Sequence, residues 1–382
     1  MSSINRYGVF FILVMINLFC CTQPYNPPNI KGNYNYLVVD GIVINGPTQT
    51  VINLSRSQNI NDSSYYTLIP ETGAIINVVG SLGDTYALQE QGAGAYVADS
   101  LNLNPGETYQ IKIVTANGSQ YQSDSSTLSS SPPIDTVNWQ LTSNGLQIYV
   151  NTHDPLNNTH FYLWQYAETW EYHSAYDASF EYVNQLVVPR DSAQRVYKCW
   201  QSDQSTNLII GSSAKLQQDI IYEQPLVFIP SSSEKLGVEY SILVKQFALT
   251  EKAYNFWQTL QKNTEQLGSL FDAQPSQLTG NVHNLSNPNE PVLGFVSFSS
   301  LQQQRIFIYN SELSTWGYNP LACEEIVVVN NPDSFAFYYG AGYIPVSEDY
   351  PPSGFVGYYS ALSSCVDCTL HGGTTLKPSF WP

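Results

Sequence analysis

Residues 240–284, YSILVKQFALTEKAYNFWQTLQKNTEQLGSLFDAQPSQLTGNVHN, decide how this chain is read. The opening, from Tyr240, reads as a buried strand. Thr250 then offers a hydroxyl to cap a helix, and Glu251 suits the positive end of the helix dipole. Ala253, Phe256, Trp257 and Leu260 recur at helical spacing, so a helix near 251–262 is expected, with these four as its buried stripe. That spacing needs only packing to explain it, not a ligand. The last part, Phe271 to Asn281, is long, polar and non-repetitive in a chain of short turns. Ordered loops of that length usually serve function. Gln274, Pro275, Ser276, Gln277 and Asn281 are therefore the candidate docking loop.

Almost everything on either side reads as short strands. Leu37–Ile44, Thr50–Leu54, Gly73–Val79, Tyr86–Leu88, Ala95–Val97 and Tyr109–Val114 are separated by Gly, Asp and Pro turns, and Asn117-Gly118 signals a hairpin before Tyr121. Short strands with turns every eight to twelve residues or so are the pattern of an immunoglobulin-like β-sandwich, expected over residues 36–124. Residues 125–133, SSTLSSSPP, read as a linker. Residues 134–382 read as a larger β-rich domain holding the one clear amphipathic helix. Its features include the aromatic strand Phe161–Tyr172, short strands at Leu208–Ile210, Leu226–Ile229, Ile306–Tyr309 and Ile326–Val329, and an irregular insertion over 174–198. The fold class is thus mostly β.

The N-terminus bears on location. Arg6 precedes an apolar run, Val9–Ile16, too short for a permanent span, so residues 1–20 read as an export signal. The run ends Leu18-Phe19-Cys20-Cys21, which resembles the lipobox of bacterial lipoproteins. Leu18 takes the apolar place and Cys20 the small one, making Cys21 the lipidated residue. Cys20 is the alternative, because Gly, Ala or Ser is usual where it stands. Residues 21–35 are Pro- and Asn-rich and read as a tether. Several acyl chains would hold the protein firmly at a membrane, where one chain holds only marginally.

Composition excludes some partners. The 382 residues carry a formal charge of −17 with only 14 Lys and Arg, so no basic footprint for nucleic acid exists. Charged residues make up 12% of the chain, which leaves Asn, Gln, Ser, Thr and Tyr to cover the surface. Beyond Cys20 and Cys21 there are four cysteines: Cys199, Cys323, Cys365 and Cys368. An even number in an exported chain points to disulfides, with three connectivities open. Cys365-Val366-Asp367-Cys368 lacks the strand–helix setting of a redox pair. The expectation is that Cys365 and Cys368 tie the C-terminal tail to Cys199 and Cys323.

No motif carries catalysis. His153 and Asp154 adjoin, with His160 nearby, but no nucleophile elbow completes a triad. Asp154, Asn157 and Asn158 are oxygen donors at generic turn spacing. Glu168 and Glu171 lie an odd number of residues apart on a strand, so they face opposite ways and do not form a glycosidase pair. No metal or cofactor is expected.

Several short motifs occur in fixed order: Cys21-Thr22-Gln23-Pro24-Tyr25, Tyr36-Leu37-Val38-Val39-Asp40-Gly41, Thr169-Trp170-Glu171, Tyr240–Gln246, Gly280-Asn281-Val282-His283, and Cys365–Cys368 with Gly372-Gly373. Together they resemble the DUF4249 family of Gram-negative lipoproteins, over nearly the whole mature chain. The resemblance implies an outer-membrane, lipid-anchored protein of unknown function, usually encoded beside a TonB-dependent transporter, with no catalytic residues to carry over. Thr22–Asn26 lacks the acidic run that directs some related lipoproteins to the cell surface, so both sides of the membrane stay open. The expected function is a non-catalytic accessory subunit of such a transporter. The alternatives are a substrate-binding module for a glycan, peptide or chelate and, third, a hydrolase.

Overall fold

The computed structural model describes residues 35–58, 68–265, 278, 280–313, 316 and 323–382. The chain is mostly β, as expected, and most of its strands make two sandwiches. In the first, Leu37–Asn45 pairs with Thr50–Arg56, which continues to Ala95–Ala98 and Thr85–Gly92. The facing sheet is Ile75–Gly80, Thr108–Val114 and Gln120–Ser123. Strand Thr85–Gly92 pairs in both sheets and closes that side. Alternation sends Leu37, Val39, Val43, Ile52 and Leu54 inward from one sheet and Ile76, Val78, Tyr109, Ile111 and Ile113 from the other. This is the immunoglobulin-like sandwich read from the sequence.

In the second sandwich, Phe161–His173 lies between Lys198–Gln204 and Glu239–Ala248, with Ile209–Ser212 on its first half. A three-stranded sheet of Ile134–Thr142, Gly145–His153 and Ile220–Pro230 covers one face. Leu146, Ile148 and Val150 meet Tyr162, Trp164, Tyr240, Ile242 and Val244 in the core.

One strand joins the two. Leu293–Tyr309 runs parallel to Leu37–Asn45 through its first half and antiparallel to Glu239–Ala248 through its second. Val282–Asn284 adds to the first sandwich as well, beside Gln120–Ser123. The division at residue 134 therefore differs from the structure: a segment from late in the chain completes the first sandwich. Strand periodicity reveals which residues face inward but not which distant strand lies alongside.

The stretch 125–133 is likewise more than a linker. Ser129 forms a parallel bridge to Ser299. Ser131 and Pro132 are held by Gln246, a fully buried amide whose Nε2 donates to the Pro132 carbonyl (2.8 Å) and whose Oε1 accepts from the Trp164 indole (2.9 Å). Every such bond is needed, because a buried amide without partners is costly.

Helix α1 spans Glu251–Glu265 and extends the expected range by a turn. Ala253, Phe256 and Trp257 are buried, and Leu260 packs partly buried beside them. The sequence reading misses a second helix, α2, Pro332–Gly340. Its signals were present: Asn331 caps the Asp333 N–H, and Pro332 occupies the first turn, where a missing N–H is harmless. Phe335 and Tyr339 of α2 pack on Val328 in a small sheet of Ile326–Val329, Gly357–Leu362 and Tyr343–Asp349. The insertion at 174–198 contains a hairpin, Phe180–Val183 with Leu186–Pro189. Among the described residues no helix is long and apolar enough to cross a membrane.

Candidate functional site

The outer face of the long sheet, turned away from both cores, carries α1 at one place and the C-terminal tail at another. A cleft of about 450 Å³ opens on this face. Its walls come from both sandwiches: Asp40, Ile42, Ile44 and Asn53 from the first, Leu163, Gln165, Lys245 and Phe247 from the second. Leu301 and Trp257 of α1 complete the apolar floor, and residues 204–208 form a polar rim. Clefts between structural units are where ligands commonly bind.

Register explains why the charged side chains meet here. Asp40 lies opposite Asn53 and Phe295, and Lys245 lies opposite Gln165 and Gln303. Side chains in register share a face, so both ions point outward from strands whose other residues are mostly apolar. Neither has a hydrogen bond or ion pair among the described residues. Asp40 is an exposed residue, yet protein atoms crowd its carboxyl, and this dehydration raises its pKa. The indole N–H of Trp257 is buried beneath the cleft, without an acceptor among the described residues. The chemistry such a cleft offers is recognition: one acid, one base, and the amides of Asn53 and Gln165, which have no partner among the described residues.

Elsewhere the reactive side chains are engaged in structure. Glu168 and Glu171 do face opposite ways and are both buried. Glu168 accepts from Lys235 and from the Tyr240 hydroxyl (2.8 Å). Glu171 binds Lys198 and His173, each at 2.9 Å. Burial pushes the Glu171 carboxyl up, but the hydrogen bonds from His173 and Lys198 outweigh it and hold the pKa below its ordinary 4.5. A depressed carboxylate stabilises the fold above its unfolded pKa, and that contribution disappears as pH falls through the folded value. Melting temperature is thus expected to decline as pH drops below about 4.5, and Glu171→Gln is expected to flatten this limb. An unchanged acid limb in the variant would refute the assignment.

His153 pairs with Asp135 at 2.8 Å rather than with Asp154. Asp154 accepts the N–H groups of Leu156, Asn158 and Thr159, and Asn157 accepts that of Asp219. These oxygens organise a turn. His160 reaches Ser213 at 3.2 Å, and Ser213 in turn donates to Asp219. The serine lies between the other two, so the acid does not hold the imidazole as it does in a hydrolase triad, where the histidine stands between acid and serine. Among the described residues no group of three metal-ligating side chains converges.

The cysteines pair Cys199–Cys368 and Cys323–Cys365. Cys365 and Cys368 thus belong to different bridges, each tying the tail to one of the two expected partners. Cys20, Cys21, Gln274, Pro275, Ser276 and Gln277 lie outside the described residues. Asn281 corrects the docking-loop expectation. It is 4% exposed, and its side-chain amide exchanges two 2.9 Å hydrogen bonds with the main chain of Val296. It clamps the joining strand, and its polarity in sequence signals a main-chain mimic rather than a docking contact. Conversely, the sequence reading did not single out Asp40 or Lys245. Their signal was an isolated charge inside an apolar strand run, LVVDGIVI and SILVKQFA.

The family model described as a domain of unknown function, DUF4249, matches residues 22–305. No curated protein matches the chain. Among solved structures, a two-domain fibronectin type III segment of chicken tenascin is 13% identical, covering 56% of this chain and 90% of its own, at a TM-score of 0.16. The adhesin InvE of Yersinia pseudotuberculosis is 13% identical, with 57% of each chain covered and a TM-score of 0.16. A chitinase of Bacillus thuringiensis is 10% identical, covering 54% of this chain and 29% of its own, at 0.15. Superpositions this loose carry no argument about this chain.

Proposed function

This chain belongs to the DUF4249 family, a domain of unknown function, and from that premise we propose that it is an exported, lipid-anchored, non-catalytic accessory protein of a TonB-dependent outer-membrane transporter. The observation that carries the reading is how its acids and histidines are used. Glu168, Glu171, Asp154 and Asp219 are committed to lysines, turns and hydroxyls inside the fold. What remains at the surface suits contact and recognition, not the making and breaking of bonds. Two disulfides near the C-terminus support export, since such bonds persist in oxidising compartments. The outward face of the C-terminal sheet supports docking: Val327 lies opposite Tyr359 there, and both are exposed along with Val329.

The test is co-purification. Mature protein extracted in mild detergent is expected to bring a barrel protein with it in fixed proportion. Isolation of the chain alone, at any detergent strength that preserves barrels, would end this reading. A second reading, a substrate-binding module, is favoured by the cleft and by Asp40 and Lys245 in it, which have no partner among the described residues.

A further inference from the structure

We propose that the cleft between the sandwiches binds a short extended peptide with free termini, its ammonium against Asp40 and its carboxylate against Lys245. This deepens the substrate-binding reading and stands apart from the docking role. Charge complementarity is the first argument. Asp40 and Lys245 have opposite signs, line one cleft, and lack partners among the described residues. Each would gain a charge-assisted hydrogen bond from a zwitterionic ligand.

Spacing is the second argument. The two lie opposite Phe295 and Gln303 of the joining strand, eight positions apart. At roughly 3.3 Å per residue this sets an upper limit of about 26 Å, the span of an extended octapeptide. Curvature of the strand shortens it, so peptides of about four to eight residues fit. Between the charges, half-buried Ile42 and Leu301 give an apolar strip for side chains, while Ile44, Leu163 and Phe247 back it from beneath, packed against α1. The amides of Asn53 and Gln165, without partners among the described residues, stand beside the two ions and match a peptide main chain, which presents donors and acceptors alternately.

The aromatic side chains decide against a glycan. Sugar recognition needs an open ring face, and Trp164, Phe247 and Trp257 are 0%, 2% and 9% exposed. They form floor and wall, not a stacking platform.

The experiment uses full-length mature protein in mild detergent, immobilised and exposed to a synthetic pool of hexapeptides built from Ala, Leu, Ser and Thr. Mass spectrometry reads what is retained. The free-termini pool is expected to be retained at least tenfold more than the same pool acetylated and amidated. Asp40→Asn and Lys245→Gln are each expected to reduce retention at least tenfold, with melting temperatures near wild type because neither side chain lies in a core. Equal retention of free and blocked pools, no retention by the wild type, undiminished retention by the variants, or retention of maltohexaose in place of peptides would each overturn the proposal. The comparison of free and blocked pools needs no variant, so it stands even if a substitution disturbs folding. A transporter that still co-purifies when peptides are not retained removes the ligand and leaves the docking role. Retained peptides without a transporter do the reverse.

Discussion

Gly294→Ala is expected to destabilise the protein by more than about 4 kcal/mol, in the range reserved for backbone clashes and buried defects. Gly294 sits at φ +109°, where L side chains are strained, and a Cβ there would stand 1.9 Å from the Val39 carbonyl oxygen. No rotamer relieves this, since the obstacle is main chain. The parallel pairing of Leu293–Ser300 with Val38–Asn45 would have to open. That pairing attaches the first sandwich to the strand it shares with the second, so the damage reaches both. Gly280 compounds it, because its own Cβ position lies 1.9 Å from the Gly294 carbonyl oxygen. The three backbones are stacked at glycine distance. Gly340→Ala is the control: it ends helix α2, with nothing within 4 Å of an added Cβ, and should change stability by less than about 1 kcal/mol. Urea unfolding of the three proteins checks the expectation. A Gly294→Ala midpoint close to that of Gly340→Ala would contradict the stacked arrangement.

Replacing Cys199 and Cys368 together by alanine is expected to cost about 3–5 kcal/mol. The bridge closes a separation of 169 residues, against 42 for Cys323–Cys365. Loop-closure entropy grows slowly with length, so the longer bridge should contribute only roughly 1 kcal/mol more than the shorter. The two pairs separate better by what they hold. Near Cys199, Trp200 and Thr374 exchange main-chain hydrogen bonds at 2.8 and 2.9 Å, and the Tyr172 hydroxyl donates to the Cys368 carbonyl at 2.7 Å. Beyond this point the tail lays Trp381 against Trp200 and Phe307, while the Arg305 guanidinium stacks on Phe380 at 3.6 Å. Loss of Cys199–Cys368 should therefore expose the tail to proteolysis before global unfolding. Loss of Cys323–Cys365 should leave it protected. Limited proteolysis of the two double variants distinguishes them, and equal cleavage after residue 368 would contradict this division of labour.

Much of the fold was legible locally. The strands of the first sandwich follow from alternation, because one buried face imposes a period of two. Helix α1 follows from Thr250, Glu251 and the stripe at Ala253, Phe256 and Trp257. Helix α2 was missed although Asn331-Pro332 announces it, since Phe335, Tyr338 and Tyr339 look equally at home in a strand. The site was far less legible. Asp40 and Lys245 are about two hundred residues apart, and each alone is one outward charge on one strand. Asn281 was misread for the same reason: its polarity is visible in sequence, while its partner, Val296, is known only once the chain folds back.

The amino-acid sequence by itself therefore determined the β class, the first helix, the acidic character, and the set of cysteines available to hold the tail. These are local or additive properties, set by side-chain type and spacing. The tertiary structure alone decided that Leu293–Tyr309 belongs to both sandwiches, that Cys199 takes Cys368, and that Asp40 and Lys245 open onto one cleft. Those depend on which distant strands become neighbours. Alternation specifies the face a residue presents but leaves the partner strand open, and only the packing of both cores selects it.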